Sequence, residues 1–284
     1  MTLTRHHDID IYHTHLFKNP PVVVEGVIIV NENEHGHAGY LAAKGLTLSK
    51  DADFRINSKL LGNITFNQTV SFGHAGWDGW YIKTKGEKYW AVVNINEWPT
   101  TSLFPIEESK NTWIYAYPVV RDVLDYFKSV HHATQCLVLT TSAVHEALDP
   151  AEFRQMKENE FVGYNWSSAN SPEVDLVWAK NDGGAFFTPP AWLFPYFAKN
   201  MGYAHAHTFM VGYNDEKEIN DVAGDELMKE VGEHIKLTLY GRNRKALAGA
   251  VKEMEELNKK ADEVRRQIEE LAKGKPPTNN GMWG

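Results

Sequence analysis

The spacing of apolar residues changes several times along the chain, and it predicts helices and strands that alternate. Nearly continuous β-branched residues over 21–30 are typical of a central strand that is covered on both faces. The small residues of 38–46 predict a short helix close against that strand. Helical spacing then leads into a strand over 118–141, and again over 192–211. We therefore expect an α/β fold, a three-layer α/β/α sandwich with a mainly parallel sheet.

Other segments add strands to this pattern. Residues 80–84 and 89–95 flank a polar turn, which predicts a hairpin. Residues 63–72 alternate apolar and polar positions, and 215–235 has helical spacing. Residues 151–171 mix polar and aromatic residues with no period, so we predict loop and short helix there.

The last predicted element is a charged helix over 241–273. Pairs such as Glu255 and Lys259, an acid four residues before a base, support a helix, and Gly274 and Pro276 end it. Its apolar residues lie three and four positions apart, as in a coiled-coil seam that joins copies of a chain. This spacing suits several oligomer sizes, and it also suits a helix that only packs on its own core. The seam residues are Met254, Leu257, Ala261, Val264, Ile268 and Leu271.

The pattern divides the chain into a core domain over 1–240, the helix over 241–273 and a tail over 274–284. The polar tail residues have nothing to bury, which predicts a flexible tether. The tether ends in Met282, Trp283 and Gly284, so an apolar residue and an indole lie beside the terminal carboxylate. A flexible tail with an aromatic end suggests a protein that docks on a partner.

Composition narrows the class of protein. The chain has 284 residues and 43% hydrophobic content, enough for a sizeable core. A net charge of −8 argues against a nucleic-acid surface. No apolar run reaches 18 residues and no signal peptide is evident, so we expect no membrane span and a cytoplasmic protein. The single cysteine, Cys136, lies in an apolar strand and excludes disulfides within one chain.

Histidine pairs are the main candidates for metal chemistry. Residues i and i+2 of a strand share a face, so such a pair can hold a metal ion. With 13 histidines some pairs arise by chance, and the further His and Asp ligands of barrel hydrolases are not visible. We expect no metal and no cofactor, with His35 and His37 as weak candidates. The three pairs are His13 and His15, His35 and His37, and His205 and His207.

Other catalytic patterns are not found. Gly36 and Gly39 follow the first predicted strand, but Glu32 and Glu34 would repel a phosphate there, and no nucleotide-binding motif is present. No serine lies in a G-x-S-x-G elbow, and an apolar strand disfavours a thiolate at Cys136. We therefore predict no catalytic residue.

Four stretches together resemble the proteasome assembly chaperone family, in particular its archaeal members and their bacterial relatives. The opening strand, turn and small-residue helix are PVVVEG and GHAGYLAA, and the charged terminal helix is LNKKADEVRRQIEEL. The two stretches between them are the helix–strand steps over 119–141 and 191–211. The resemblance implies an oligomer with an architecture similar to nucleoside phosphorylases but without their catalytic residues.

The resemblance also implies a role for the tail. Some family members end in a hydrophobic residue, Tyr and any residue, a tripeptide that enters pockets between proteasome α-subunits. Met282, Trp283 and Gly284 are similar residue by residue, with Trp in the place of Tyr. The implied function is a non-enzymatic assembly chaperone or adaptor that docks on the α-subunits of the proteasome core particle. The alternative is a small-molecule hydrolase or phosphorylase that uses the His-rich loop after the first strand.

Overall fold

The computed structural model describes residues 2–14, 20–31, 37–58, 76–85, 88–95, 116–143, 147–149, 154–155, 157–166, 189–214, 216–237 and 241–273. These residues contain eleven strands and five helices. The strands β1 to β11 are Thr2–His6, Ile9–His13, Gly26–Asn31, Phe54–Ser58, Trp77–Lys83, Tyr89–Ile95, Gln135–Ala143, Ala147–Asp149, Arg154–Gln155, Phe161–Asn165 and His205–Tyr213. The helices α1 to α5 are Ala38–Leu46, Ala116–Ser129, Pro189–Asn200, Asp221–His234 and Gly241–Ala272.

Nine strands form one mixed sheet in the order β1-β2-β4-β5-β6-β3-β7-β11-β10. The predicted α/β class is confirmed, but the prediction of a mainly parallel sheet is wrong. Among the described strands, three of the eight neighbouring pairs are parallel, and these adjoin one another from β6 to β11. The flanking pairs are antiparallel, and in two of them, β1 with β2 and β5 with β6, the strands follow each other closely in the chain, so a short connection reverses its direction.

Strand β3 lies inside the sheet, between β6 and β7, and is buried on both faces. Val27 and Ile29 belong to an apolar cluster that includes residues of α2 and α3. Ile28 and Val30 belong to a second cluster that includes residues of α1 and α4. Successive side chains of a strand point to opposite faces, so helices cover both faces of the sheet here. The predicted strand over 21–30 is too long, because β3 begins at Gly26.

Most other predicted elements are confirmed. The helix over 38–46, the hairpin of β5 and β6, and both helix–strand steps are present, and α4 begins at Asp221 rather than 215. The prediction of loop and short helix over 151–171 is wrong at 154–155, where β9 pairs with β8, and over 161–165, where β10 pairs with β11 at the edge of the sheet. Residues 63–72 lie outside the described residues. None of the described helices combines the length and apolar character that a membrane span requires.

Candidate functional site

Helix α5 is attached to the core by its N-terminal part. Leu247 and Ala250 are buried in the cluster that α1 and α4 also line, and Met254 packs against that cluster while partly exposed. Asn243 donates a hydrogen bond from Nδ2 to the Gly45 carbonyl, across 3.1 Å. These contacts fix the direction in which the rest of the helix extends.

Beyond Met254, one face of α5 is apolar and exposed to solvent. Leu257 is 56% exposed and Ile268 is 60% exposed, although both are large aliphatic residues. Ion pairs such as Arg266 with Glu263, at 2.6 Å, lie on the other faces. We call the exposed apolar residues the α5 seam: Leu257, Ala261, Val264, Ile268 and Leu271. The structure thus separates Met254, which contacts the core, from the other predicted seam residues.

The predicted tail lies outside the described residues. This applies to Met282, Trp283 and Gly284, so their role in partner binding stays a prediction. His15 and His35 also lie outside the described residues, which leaves two of the three histidine pairs without one member. His37 is described, at the position before α1, with a left-handed φ of 54°.

The remaining histidines of the three pairs have different surroundings. His13 is buried, with Nε2 at 3.4 Å from the Tyr81 hydroxyl, so it is a core residue. His205 and His207 stack on one face of β11 with their ring centroids 6.0 Å apart. The ring of His234, which belongs to α4, packs edge-on against that of His207, with the ring centroids 5.4 Å apart. Burial, followed by the charges of His234 and His205, lowers the pKa of His207 to about 4.

The structure brings together one group of potential metal ligands that sequence analysis missed. Within the described residues, His6, His7 and Asp125 offer ligand atoms that all lie within 4.8 Å of one another. The adjacent histidines are visible in the sequence. Asp125 lies 118 positions after His7, however, and no local pattern connects them.

A cleft of about 480 Å³ lies between the end of α1, the β5–β6 hairpin and the start of α5. Basic residues line it, among them Lys50, Lys85 and Arg242. Burial raises the pKa of Asp53, the one acidic residue among the described residues of the lining, and this outweighs the hydrogen bond from the Tyr81 N–H and the charge of Lys50. No histidine or cysteine is among the described residues that line the cleft.

Comparison with solved structures identifies the fold. PbaB of Pyrococcus furiosus, described as an archaeal proteasome activator, matches with a TM-score of 0.57 and 14% identity, over 90% of this chain and 99% of that one. The chain has the fold of PbaB. PbaA of the same organism, described as an archaeal homolog of proteasome-assembly chaperone, matches with a TM-score of 0.52 and 13% identity, over 93% of this chain and 99% of that one.

A bacterial protein has a similar fold. The proteasome-assembly chaperone homologue Rv2125 of Mycobacterium tuberculosis matches with a TM-score of 0.50 and 12% identity, over 81% of this chain and 94% of that one. No protein-family model matches the chain, and no curated protein matches its sequence. The resemblance to the proteasome assembly chaperone family is therefore confirmed at the level of the fold.

Proposed function

We propose that this protein is a non-enzymatic, cytoplasmic proteasome assembly chaperone or adaptor. In this proposal, copies of the chain associate through the α5 seam and dock on the α-subunits of the proteasome core particle through their C-terminal tails. The observation that carries the proposal is the exposed apolar face of α5, together with a fold that is shared with proteins described as a proteasome activator and as assembly chaperone homologues.

The α5 seam supports association between copies of the chain. A helix of 32 residues is ~48 Å long, and its first part packs on the core of its own chain. Four large aliphatic side chains that are at least half exposed face water on the remainder: Leu257, Val264, Ile268 and Leu271. A second copy of the helix would remove them from water, with a gain of ~25 cal/mol for each Å² of apolar surface buried.

Association would also strengthen docking by the tails. A single flexible tail binds weakly, because ordering the tether costs conformational entropy. Several tails on one oligomer raise the apparent affinity ~10²–10⁴-fold where their spacing fits the partner ring. The Trp283 indole would fill an apolar pocket, and the terminal carboxylate of Gly284 would pair with a basic residue of the partner.

The tail is tested by a pull-down with assembled α-subunit rings of the source organism. We expect wild type to bind, and deletion of Met282 to Gly284 to abolish binding. Trp283→Ala should reduce binding at least ~10-fold, whereas Trp283→Tyr should retain it, because a phenol ring also fills the pocket. Undiminished binding after the deletion would remove tail docking from the proposal.

The seam is tested separately by light scattering. Val264→Gln with Ile268→Gln removes two aliphatic side chains from the seam and should lower the measured mass to that of one chain. Lys259→Gln with Arg265→Gln changes two residues on the charged faces of the same helix and should leave the mass unchanged. A wild-type chain that is monomeric at all concentrations would contradict association through α5.

The enzymatic alternative gains no support from the described part of the chain. It depends on the loop that contains His35, which lies outside the described residues. Metal analysis of wild type and of a variant with His35 and His37 substituted, together with a thermal-shift screen of nucleosides, separates the two proposals. A stoichiometric metal that is lost on substitution of His35 and His37 would favour the enzyme.

A further inference from the structure

Two histidines at the tip of the β1–β2 hairpin converge on one carboxylate of helix α2. The Nε2 atom of His6 lies 2.8 Å from Oδ2 of Asp125, and the Nε2 atom of His7 lies 3.2 Å from the same oxygen. Adjacent strand residues normally point to opposite faces. His7 has a left-handed φ of 50°, which turns its side chain out of the strand pattern and towards the same acceptor as His6.

The hairpin is held against α2 by further contacts. The backbone N–H of Asp8 donates a hydrogen bond to the buried carboxylate of Asp122, across 3.1 Å. The Asp122 carboxylate also pairs with Arg121, which occupies it and balances its charge. The ring of His6 packs edge-on against Tyr126, with centroids 5.6 Å apart. The three donor groups are therefore positioned by the fold before any ligand binds.

We propose that His6, His7 and Asp125 form a binding site for a divalent transition-metal ion of the zinc type. Two ligand atoms that bind Zn²⁺ at ~2.1 Å with tetrahedral geometry lie ~3.4 Å apart, and the two imidazole–carboxylate distances here are within about 0.6 Å of that value. Two imidazoles and one carboxylate are the donor set that suits Zn²⁺, Co²⁺ and Ni²⁺ better than Mg²⁺ or Ca²⁺.

Exposure agrees with this assignment. The side chain of His7 is 57% exposed and that of Asp125 is 35% exposed. Solvent can therefore reach the site, and three protein ligands leave a fourth position for water. The metal would join the first hairpin of the sheet to α2.

The site is tested by titrating tag-free full-length protein, first treated with a chelator, with Zn²⁺ in a calorimeter. We expect one ion per chain at this site, no comparable affinity for Mg²⁺, and a raised melting temperature when Zn²⁺ is bound. Co²⁺ in the site should give visible absorption bands. His7→Gln and Asp125→Asn should each weaken Zn²⁺ binding at least ~10-fold and abolish the cobalt bands.

The matched control is His132→Gln. His132 is an exposed histidine with a left-handed φ of 58°, just after α2. Its substitution therefore replaces the same residue type, in the same backbone conformation, as the substitution at His7. Its Zn²⁺ affinity should equal that of wild type. Equal affinity in wild type and His7→Gln, or no saturable Zn²⁺ binding at all, would overturn the proposal. Because His7 is largely exposed, its substitution leaves the fold intact even where Asp125→Asn destabilises α2.

Discussion

Tyr126 donates its hydroxyl hydrogen to Nε2 of His131 across 2.9 Å inside the core. The other ring nitrogen of His131, Nδ1, lies 2.7 Å from the Pro21 carbonyl oxygen. A carbonyl only accepts hydrogen bonds, so Nδ1 carries the proton and Nε2 is the acceptor. Burial lowers the pKa of His131, although the bond to Pro21 opposes this. The pair connects the end of α2 to the segment that leads into β3.

Removing the Tyr126 hydroxyl should therefore destabilise the protein. Tyr126→Phe leaves Nε2 of a buried imidazole without its donor, and we expect a loss of ~1–3 kcal/mol in the free energy of unfolding. Urea unfolding measures this. Tyr12→Phe, which removes a hydroxyl from a partly buried tyrosine of β2, is the control. Equal losses in the two variants would contradict a special role for the Tyr126–His131 bond.

Strand β3 should not tolerate a side chain at Gly26. A Cβ there would lie 2.6 Å from the Gln135 carbonyl oxygen and 2.5 Å from the ring of Trp90. The Gln135 carbonyl belongs to the neighbouring strand β7, so the backbone of the sheet would have to move. We expect Gly26→Ala to destabilise by at least ~1–3 kcal/mol in urea unfolding.

A second glycine provides the control for this substitution. Gly249 lies inside α5, and a Cβ there would meet nothing within 4 Å. Gly249→Ala should raise the free energy of unfolding by ~0.5–1 kcal/mol, because alanine favours helix. A destabilised Gly249→Ala variant would mean that this face of α5 is covered in solution.

Two leucines of α5 should respond differently to the same substitution. Leu247 is 5% exposed and Leu257 is 56% exposed. Leu247→Ala leaves a cavity in the core and should cost ~2–5 kcal/mol. Leu257→Ala should cost less than ~0.5 kcal/mol in a dilute sample of single chains. A concentration-dependent loss at Leu257 would instead report its burial between copies of the chain.

Stability should fall in mild acid because of the histidines between β11 and α4. The folded-state pKa of His207, about 4, is below its ordinary value of 6.5, so the unfolded chain binds a proton first as pH falls. The contribution of His207 to the free energy of unfolding is therefore constant above pH ~6.5, and it is lost as pH falls from ~6.5 towards ~4. One titrating group changes the free energy of unfolding by at most ~1.4 kcal/mol per pH unit. The change from His207 should be smaller than this, because its ring is only half buried.

The measurement is the free energy of unfolding across that pH range. His207→Gln should have a shallower dependence than wild type, since glutamine does not titrate. An unchanged slope would show that His207 is protonated to the same extent in the folded and unfolded states. Burial, then the charge of His205, also lowers the pKa of His234, so some dependence should remain in the variant.

Elements whose pattern is local were predicted well. The small residues of α1 and the apolar spacing of α2 define those helices, because helical hydrogen bonds connect residues four apart. The polar turn between β5 and β6 defines a hairpin for a similar reason. The edge strand β10 was missed because its residues lack alternation, and its pairing with β11 alone makes it a strand.

The candidate sites divide in the same way. The heptad spacing from Met254 to Leu271 is visible in the sequence, but it does not distinguish Met254, which packs on the core, from Leu257, which faces water. The spacing of the histidine pairs by itself makes them candidate metal ligands. The structure places His13 in the core and instead brings His6 and His7 to Asp125.

The sequence by itself determined the α/β class, the positions of the helices and central strands, and a charged terminal helix with one apolar face. These properties follow from periods of two or about 3.6 residues, which short-range geometry imposes on any segment. Only the tertiary structure decided the strand order, the mixed direction of the sheet, which part of α5 is covered, and the meeting of the first hairpin with α2. Each of these depends on contacts between residues far apart in the chain, and no local period encodes which distant surfaces pack together.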